Sequence, residues 1–401
     1  MQSRKIFTLF VPFKIEIPKN IMTNYSYDFL IVGAGLYGAT IARLLTDLGY
    51  NCLIIDKRAH VAGNIYTENI CGYDKHVYGP HIFHTNDAYI IDFVNKYSAW
   101  YNYRQNTIAT DGNCLYSLPF NMNTYYNVFS VITPEEAYSI IEDEKRKYRV
   151  DNPTNLEEQA ISMVGKTIYE KLIKNYTEKQ WGKKCTELSP DIIKRLPLRF
   201  HFDNNYFSDH FQAIPKNGYT KFVENIIGNI PIVFNTEFTY NDYDYWRTKI
   251  RFNIIFCGPV DELLNYKFGA LEWRSLKFVD KTFEYNGHNG QGTAIINNVS
   301  KEPYTRCCEH MWFTPNKIIK GITSIQTYEF PDTWYRTKER FYSINNAHTE
   351  ELYNKYVQEL YKEMPKIMLG GRLGKYKYFD MDDTIAEAFK DANNINLTNT
   401  I

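Results

Sequence analysis

Asp28-Phe-Leu-Ile-Val-Gly33-Ala-Gly35-Leu36-Tyr-Gly38, followed by a run to Gly49 and then by Cys52-Leu-Ile-Ile-Asp56, is the stretch that decides the fold. Phe29 to Val32 is apolar and partly β-branched, which suits a strand buried on both faces. Gly33, Gly35 and Gly38 follow it as G-x-G-x-x-G. The three glycines serve a tight turn, close backbone approach to a pyrophosphate, and close helix–strand packing. Residues 39–48 read as a helix whose N-terminal N–H groups and dipole face that anion. Gly49 ends the helix, and Cys52 to Ile55 is the second strand. Asp56 closes it, 18 residues after Gly38, near the spacing of a carboxylate that holds a ribose hydroxyl. Strand, glycines, helix, strand and acid in register point to a dinucleotide site. A glycine-rich turn that binds nothing is the weaker reading.

The 401 residues allow two or three domains and a sizeable core. Lys+Arg and Asp+Glu both number 46, and a zero net charge argues against non-specific nucleic-acid binding. The seven cysteines include no C-x-x-C pair, which points to reduced thiols and a cytoplasmic protein. Adjacent Cys307 and Cys308 read as small buried apolar residues. No apolar run reaches the ~18 residues of a membrane span. Residues 1–25 read as a dispensable extension. Their apolar run, 7–13, is short, is broken by Pro12, and no small-residue cleavage site follows it. Some of the 34 Tyr and 25 Phe are expected to line a site, because Tyr offers an apolar face with a hydroxyl.

Further along, the loop after Asp56 centres on Gly63-Asn64 and is expected over the cofactor edge. A turn near residue 80 sets His81 and His84 three apart. No third ligand lies nearby, so no metal is expected, and hydrogen bonding at the cofactor is preferred. Thr133-Pro134-Glu135-Glu136 is a helix start, with a cap, Pro at the first position and acids in the first turn. Residues 251–257 read as a strand that ends in the Gly258-Pro259 turn. Segments 275–283, 292–297, 310–313 and 323–328 read as antiparallel strands. The whole is α/β. A discontinuous Rossmann-like cofactor domain (26–90, 215–265, 342–401) carries an inserted helical domain (91–198) and an antiparallel β-sheet domain (199–214, 266–341).

Between about residues 27 and 389 the chain resembles the bacterial type of UDP-galactopyranose mutase. The resemblance is carried by the glycine motif, Gly79-Pro80-His81-Ile82-Phe83-His84-Thr85, Tyr176-Thr177-Glu178-Lys179-Gln180-Trp181-Gly182 and Lys194-Arg195-Leu196-Pro197. It continues in Asp203-Asn204-Asn205-Tyr206-Phe207, Pro303-Tyr304-Thr305-Arg306 and Gly370-Gly371-Arg372-Leu373-Gly374 through Asp380-Met381-Asp382.

The resemblance implies an FAD-binding domain and an FAD that is active when reduced. The flavin N5 bonds covalently to the sugar C1 while UDP departs and returns, which interconverts UDP-galactopyranose and UDP-galactofuranose without net redox change. It further implies Arg195 and Arg306 as diphosphate clamps and, with His84, catalytic residues. Tyr206, Tyr342 and Tyr378 are implied as phosphate donors, Tyr176 under the uracil and Trp181 beside the galactose. Gly33, Gly35, Leu36, Gly38, Asp56, Lys57, Gly63, Asn64, His81, Gly258 and Arg372 are implied to hold the cofactor, with Asp380 and Met381 near both flavin and sugar. Residues 183–195 become a lid. A homodimer, and NADPH or another reductant, are implied as partners. Without the resemblance the arginines read as surface ion pairs, and Tyr176 and Trp181 as helix-end core residues. Asp56 stands where the family often has glutamate. Ala62 replaces a glycine and is expected to cramp its loop. Two alternatives stay open: a flavin oxidoreductase on the same cofactor fold, and a non-catalytic nucleotide-sugar-binding protein.

Overall fold

The computed structural model describes residues 25–194, 197–314 and 318–399. Residues 1–24 of the 1–25 extension, and Arg195, lie outside the described residues.

Phe29–Val32 forms the centre of a five-stranded parallel sheet, flanked by Cys52–Ile55 and Ile254–Phe256, with Ile232–Val233 and Ile367–Leu369 at the edges. Chain segments far apart in sequence therefore complete one sheet. Alternate residues serve opposite faces. Phe29, Ile31 and Ile54 pack under the helices Leu36–Asp47 and Gly218–Ile227. Leu30, Leu53 and Ile254 pack against Tyr356 and Leu360 of the helix Ala347–Glu363. Both faces are covered, as an all-parallel sheet requires.

The second sheet is mostly antiparallel and has seven strands. In spatial order they are Tyr342–Ser343, Trp273–Glu284, Thr323–Thr333, Arg306–Glu309, Ile295–Asn298, Thr107–Thr110 and Leu115–Leu118. A three-stranded sheet joins Phe83–Thr85, Phe211–Pro215 and Trp100–Asn102. The helical unit starts at Met122–Phe129. The helix Pro134–Lys147 follows, with its Thr133 and Glu136 capping box, then Leu156–Val164, and it ends at Lys174–Trp181. A π-helical turn, Tyr169–Ile173, sets the phase of that last helix.

Three expectations need correction. Residues 91–198 are not helical throughout, because 100–118 supply three strands: Trp100–Asn102 and Thr107–Thr110 pair with distant segments, and Leu115–Leu118 forms a hairpin with Thr107–Thr110. The strand Phe211–Pro215 belongs to the three-stranded sheet, not to the larger antiparallel one. His310–Phe313 is a 3₁₀ turn, and the strand is Arg306–Glu309 just before it. His310 leaves the ladder to accept the His76 backbone N–H at Nδ1, 3.2 Å away.

Candidate active site

The carboxyl ends of the parallel strands open into a cavity of about 2300 Å³ that reaches across to the seven-stranded sheet and the helical unit. Ordinary ligand sites occupy roughly 300–1000 Å³, so this cavity has room for two sizeable ligands. Every site residue expected from the sequence lines it, except Arg195, which lies outside the described residues.

One end is built from backbone. Gly33 turns with φ +118°, a conformation open to glycine. Gly35 precedes the helix Leu36–Asp47 in extended conformation and offers no side-chain cap. The N–H groups of the first helical turn, at Leu36 to Gly38, are thus left for an anion. Gly63 comes so close that a Cβ on it would stand 3.2 Å from the Gly35 Cα. Ala62, beside it, is left-handed at φ +73°, which is the strain expected where the family has glycine. Asp56 accepts the Ala34 N–H at 2.7 Å and the Arg58 N–H at 2.8 Å. Its oxygens retain lone pairs for a hydroxyl. Lys57 is exposed at the rim. Arg58 is better engaged, as it donates to Asn64 Oδ1 at 3.2 Å and pairs with Glu339 at 2.6 Å. Gly258 carries no side chain because a Cβ would strike the Phe256 ring at 2.6 Å. Backbone donors, an acid at a strand end and glycines at each close approach fit a dinucleotide's pyrophosphate and ribose.

The other end is aromatic and cationic. Burial, helped by the charge of Arg372, pushes His81 down to about 4, so its ring is neutral near pH 7. Its Nδ1–H donates to the Gly79 carbonyl at 2.8 Å, and its backbone N–H donates to His76 Nδ1 at 3.1 Å. Arg372 donates to the Phe341 carbonyl at 2.7 Å and lies 5.0 Å over the Tyr378 ring, which stacks with Tyr342. Arg306 donates to the Tyr176 hydroxyl at 3.1 Å, and its Nε stands 3.6 Å from Glu329 without a hydrogen bond. Burial works against the Arg306 charge, but Glu329 and the hydroxyls of Tyr176 and Tyr342 outweigh it, so the guanidinium stays charged. Burial raises the Glu329 carboxyl, and Arg306 offsets this only in part. His84 stacks on Phe207, whose ring meets Tyr206 edge-on. Asp380 and Met381 open the helix Met381–Asn399 at the cavity wall.

Tyr176 and Trp181 share the helix Lys174–Trp181, which two side chains fix in place. Lys179 donates to the carbonyls of Asn298, Glu302 and Tyr304, at 2.8–3.0 Å. Burial pulls its ammonium down to about 8, still mostly charged near pH 7. Arg274 caps the C-terminal carbonyls of Gln180 at 2.8 Å and Lys179 at 3.3 Å. Gly182, at φ +66°, leaves room for it, since a Cβ there would lie 2.7 Å from that guanidinium. The Arg274 backbone is also the cross-strand partner of Tyr342. Arg274→Met is expected to strand these buried carbonyls and cost about 2–3 kcal/mol, read as a lower midpoint in a denaturant melt.

Sequence reasoning missed Arg58, Asp209, Arg274 and Glu329, and it read Lys179 only as part of a motif. Arg58 was detectable as a basic residue just past the strand-terminal acid. The others carry no local signal, because their partners lie on other chain segments. Among the described residues no cluster of three or more metal-ligating side chains occurs, and no helix is long and apolar enough to cross a membrane.

A parallel sheet with a glycine-rich turn, opening on a cationic aromatic chamber, defines a dinucleotide-binding protein with room for a second ligand. Residues 31–97 match the model of the NAD(P)-binding Rossmann-like domain, and residues 171–378 match that of UDP-galactopyranose mutase. A probable UDP-galactopyranose mutase of Klebsiella pneumoniae is 38% identical over 371 residues, 91% of this chain and 94% of that protein. A dTDP-fucopyranose mutase of Escherichia coli is 36% identical over 372 residues, 90% of this chain and 97% of that one. A crystal structure of reduced UDP-galactopyranose mutase shares the fold with a TM-score of 0.72, over 92% of this chain and 95% of that one at 16% identity. The chain belongs to the UDP-galactopyranose mutase family, and it is an isomerase.

Proposed function

We propose that the protein interconverts UDP-galactopyranose and UDP-galactofuranose, with FAD held in the glycine-lined end of the cavity. The observation that carries this reading is the continuity of that slot with the chamber of Arg306, Tyr176 and Trp181. One continuous cavity leaves room for a dinucleotide and a nucleotide sugar end to end. The free N–H groups of Leu36 to Gly38 bind the FAD pyrophosphate and Asp56 a ribose hydroxyl, while Gly63, Asn64, Gly258, His81, Arg372 and Met381 border the rest. When bound and reduced, the flavin supplies at N5 the nucleophile for the sugar C1, and its electrons are recovered, so no net redox change results.

The chain's own residues retain and orient the diphosphate. Arg306 and Arg195 clamp it, since a charged planar fork suits a phosphate that must leave and return. Tyr206, Tyr342 and Tyr378 add hydroxyl donors, Tyr176 offers its face to the base, and Trp181 with Asp380 borders the sugar. A lid over 183–195 excludes water that would otherwise intercept the activated sugar. A cytoplasmic homodimer, with NADPH or another reductant loading the flavin, completes the proposal.

The test is turnover of UDP-galactofuranose by the flavin-loaded protein, with and without dithionite, resolved by chromatography. Conversion to the pyranose only under reduction is expected. Absence of conversion with reduced flavin bound overturns the reading. The near-equal identity to a dTDP-fucopyranose mutase favours one second reading, so dTDP-fucofuranose belongs in the same assay. A faster rate on it would reassign the substrate and leave the reaction unchanged.

A further inference from the structure

Asp209 stands just outside the cavity, behind His84, and belongs to no motif of the site. His84 lies in the strand Phe83–Thr85, opposite Gln212. Its ring stacks on Phe207 with centroids 3.8 Å apart and an interplanar angle of 19°. Its Nδ1 is 2.8 Å from Asp209 Oδ2. The carboxylate is itself held firmly. Its Oδ1 accepts from Asn86 Nδ2 at 2.5 Å, and its backbone carbonyl accepts from Arg104 at 3.0 Å and from Gln212 at 2.6 Å. Asn86 cannot swing away easily, because its Oδ1 takes the His210 backbone N–H at 2.9 Å.

An ionised carboxylate only accepts, so the proton of a neutral His84 sits on Nδ1. His84 lines the cavity and Asp209 does not. With Nδ1 engaged by the carboxylate, Nε2 is the nitrogen of this cavity-lining ring left for a ligand.

We propose that Asp209 is a positioning residue that fixes the plane and tautomer of His84, presenting an unprotonated Nε2 to the cavity as a proton acceptor. The proposal rests on the functional reading above, in which a reaction in the cavity moves protons. A proton released there adds to the Nε2 lone pair. The imidazolium so formed keeps its Nδ1–H on the Asp209 carboxylate, whose charge stabilises it. The proton is handed back later in the cycle, so no external acid, oxidant or reductant is required. Asp382, near the start of the helix Met381–Asn399, is a second carboxylate acting on this ring. It hydrogen-bonds towards Thr85, which leaves the tautomer to Asp209.

The experiment is ¹⁵N NMR of histidine-labelled protein near neutral pH, with the His84 signals assigned by their loss in His84→Gln. The wild type is expected to show a protonated Nδ1 and a bare Nε2. In Asp209→Asn, Asn86 keeps the new amide oxygen occupied and turns its NH₂ towards the ring, so the proton should move to Nε2. The same variant should lose about 10- to 100-fold in kcat while KM and flavin content hold within about twofold. A wild-type His84 protonated on Nε2, or an Asp209→Asn variant unchanged in tautomer or in kcat, overturns the proposal. The expected tautomers in a wild-type protein inactive on nucleotide sugars would instead overturn the functional reading, and the acceptor role with it.

Discussion

Arg306→Ala is expected to lower kcat/KM by roughly 10²- to 10⁴-fold while bound flavin stays at the wild-type level. Arg306 is charged, is held by the Tyr176 hydroxyl, and lines the chamber away from the glycine slot. Two charge-assisted hydrogen bonds to a diphosphate, at about 1.5–3 kcal/mol each, account for a loss of that size. Arg306→Lys keeps the charge but not the fork and should recover only part. A stability effect must be separated from this. Glu329 is buried directly across the ladder from Arg306, and removing its partner leaves a carboxylate with none, at a cost of about 3–5 kcal/mol. Burial already raises the Glu329 carboxyl, and without Arg306 it rises further. A group whose folded-state pKa is raised contributes stability below its unfolded value and loses it as pH climbs through the folded value. The Arg306→Ala variant should therefore melt at lower temperature near pH 8 than near pH 5, relative to the wild type. Adding Glu329→Gln should restore the melt at pH 8 and leave turnover low. Normal turnover in Arg306→Ala would end the diphosphate assignment, whatever the melt shows.

That Arg306–Glu329 pair also shows what the sequence hides. The glycine turn, its two strands and the helix between them are local, and their periods are written in adjacent residues. The capping box at Thr133 and Glu136 is equally local. Glu329 and Arg274 instead acquire their roles from register. Glu329 faces Arg306, and Arg274 pairs with Tyr342, through ladders whose partners are many residues away. The strand Thr107–Thr110 runs beside Ile295–Asn298, so its sheet membership depends on a segment nearly half the chain distant. Asp209 has no neighbour in sequence that announces His84. Side chains that line the cavity were thus legible through their motif. Those that hold them in place depend on strand pairing, which no single stretch encodes.

Gly38→Ala and Gly35→Ala should separate the folding role of the glycine turn from its binding role. A Cβ at Gly38 would lie 1.9 Å from the Gly33 carbonyl oxygen and 3.2 Å from Ile31 Cγ2. Backbone cannot yield as a flexible side chain does. The helix Leu36–Asp47 would have to lift off a strand face whose Phe29 and Ile31 are fully buried. Overpacking costs about 1–3 kcal/mol where side chains can adjust, and more is expected here. Gly38→Ala should therefore lose flavin and also melt earlier as the apo-protein. Gly35 differs. Its φ of −72° suits any residue, and a Cβ would meet nothing closer than the Gly63 Cα at 3.9 Å. The apo-protein of Gly35→Ala should melt like the wild type, yet the methyl occupies the slot where backbone must approach a pyrophosphate. Flavin retained on gel filtration should fall at least about tenfold, equivalent to about 1.4 kcal/mol of binding. Full flavin content in Gly35→Ala would mean that the pyrophosphate does not lie against this turn, and the placement of the dinucleotide would have to be abandoned.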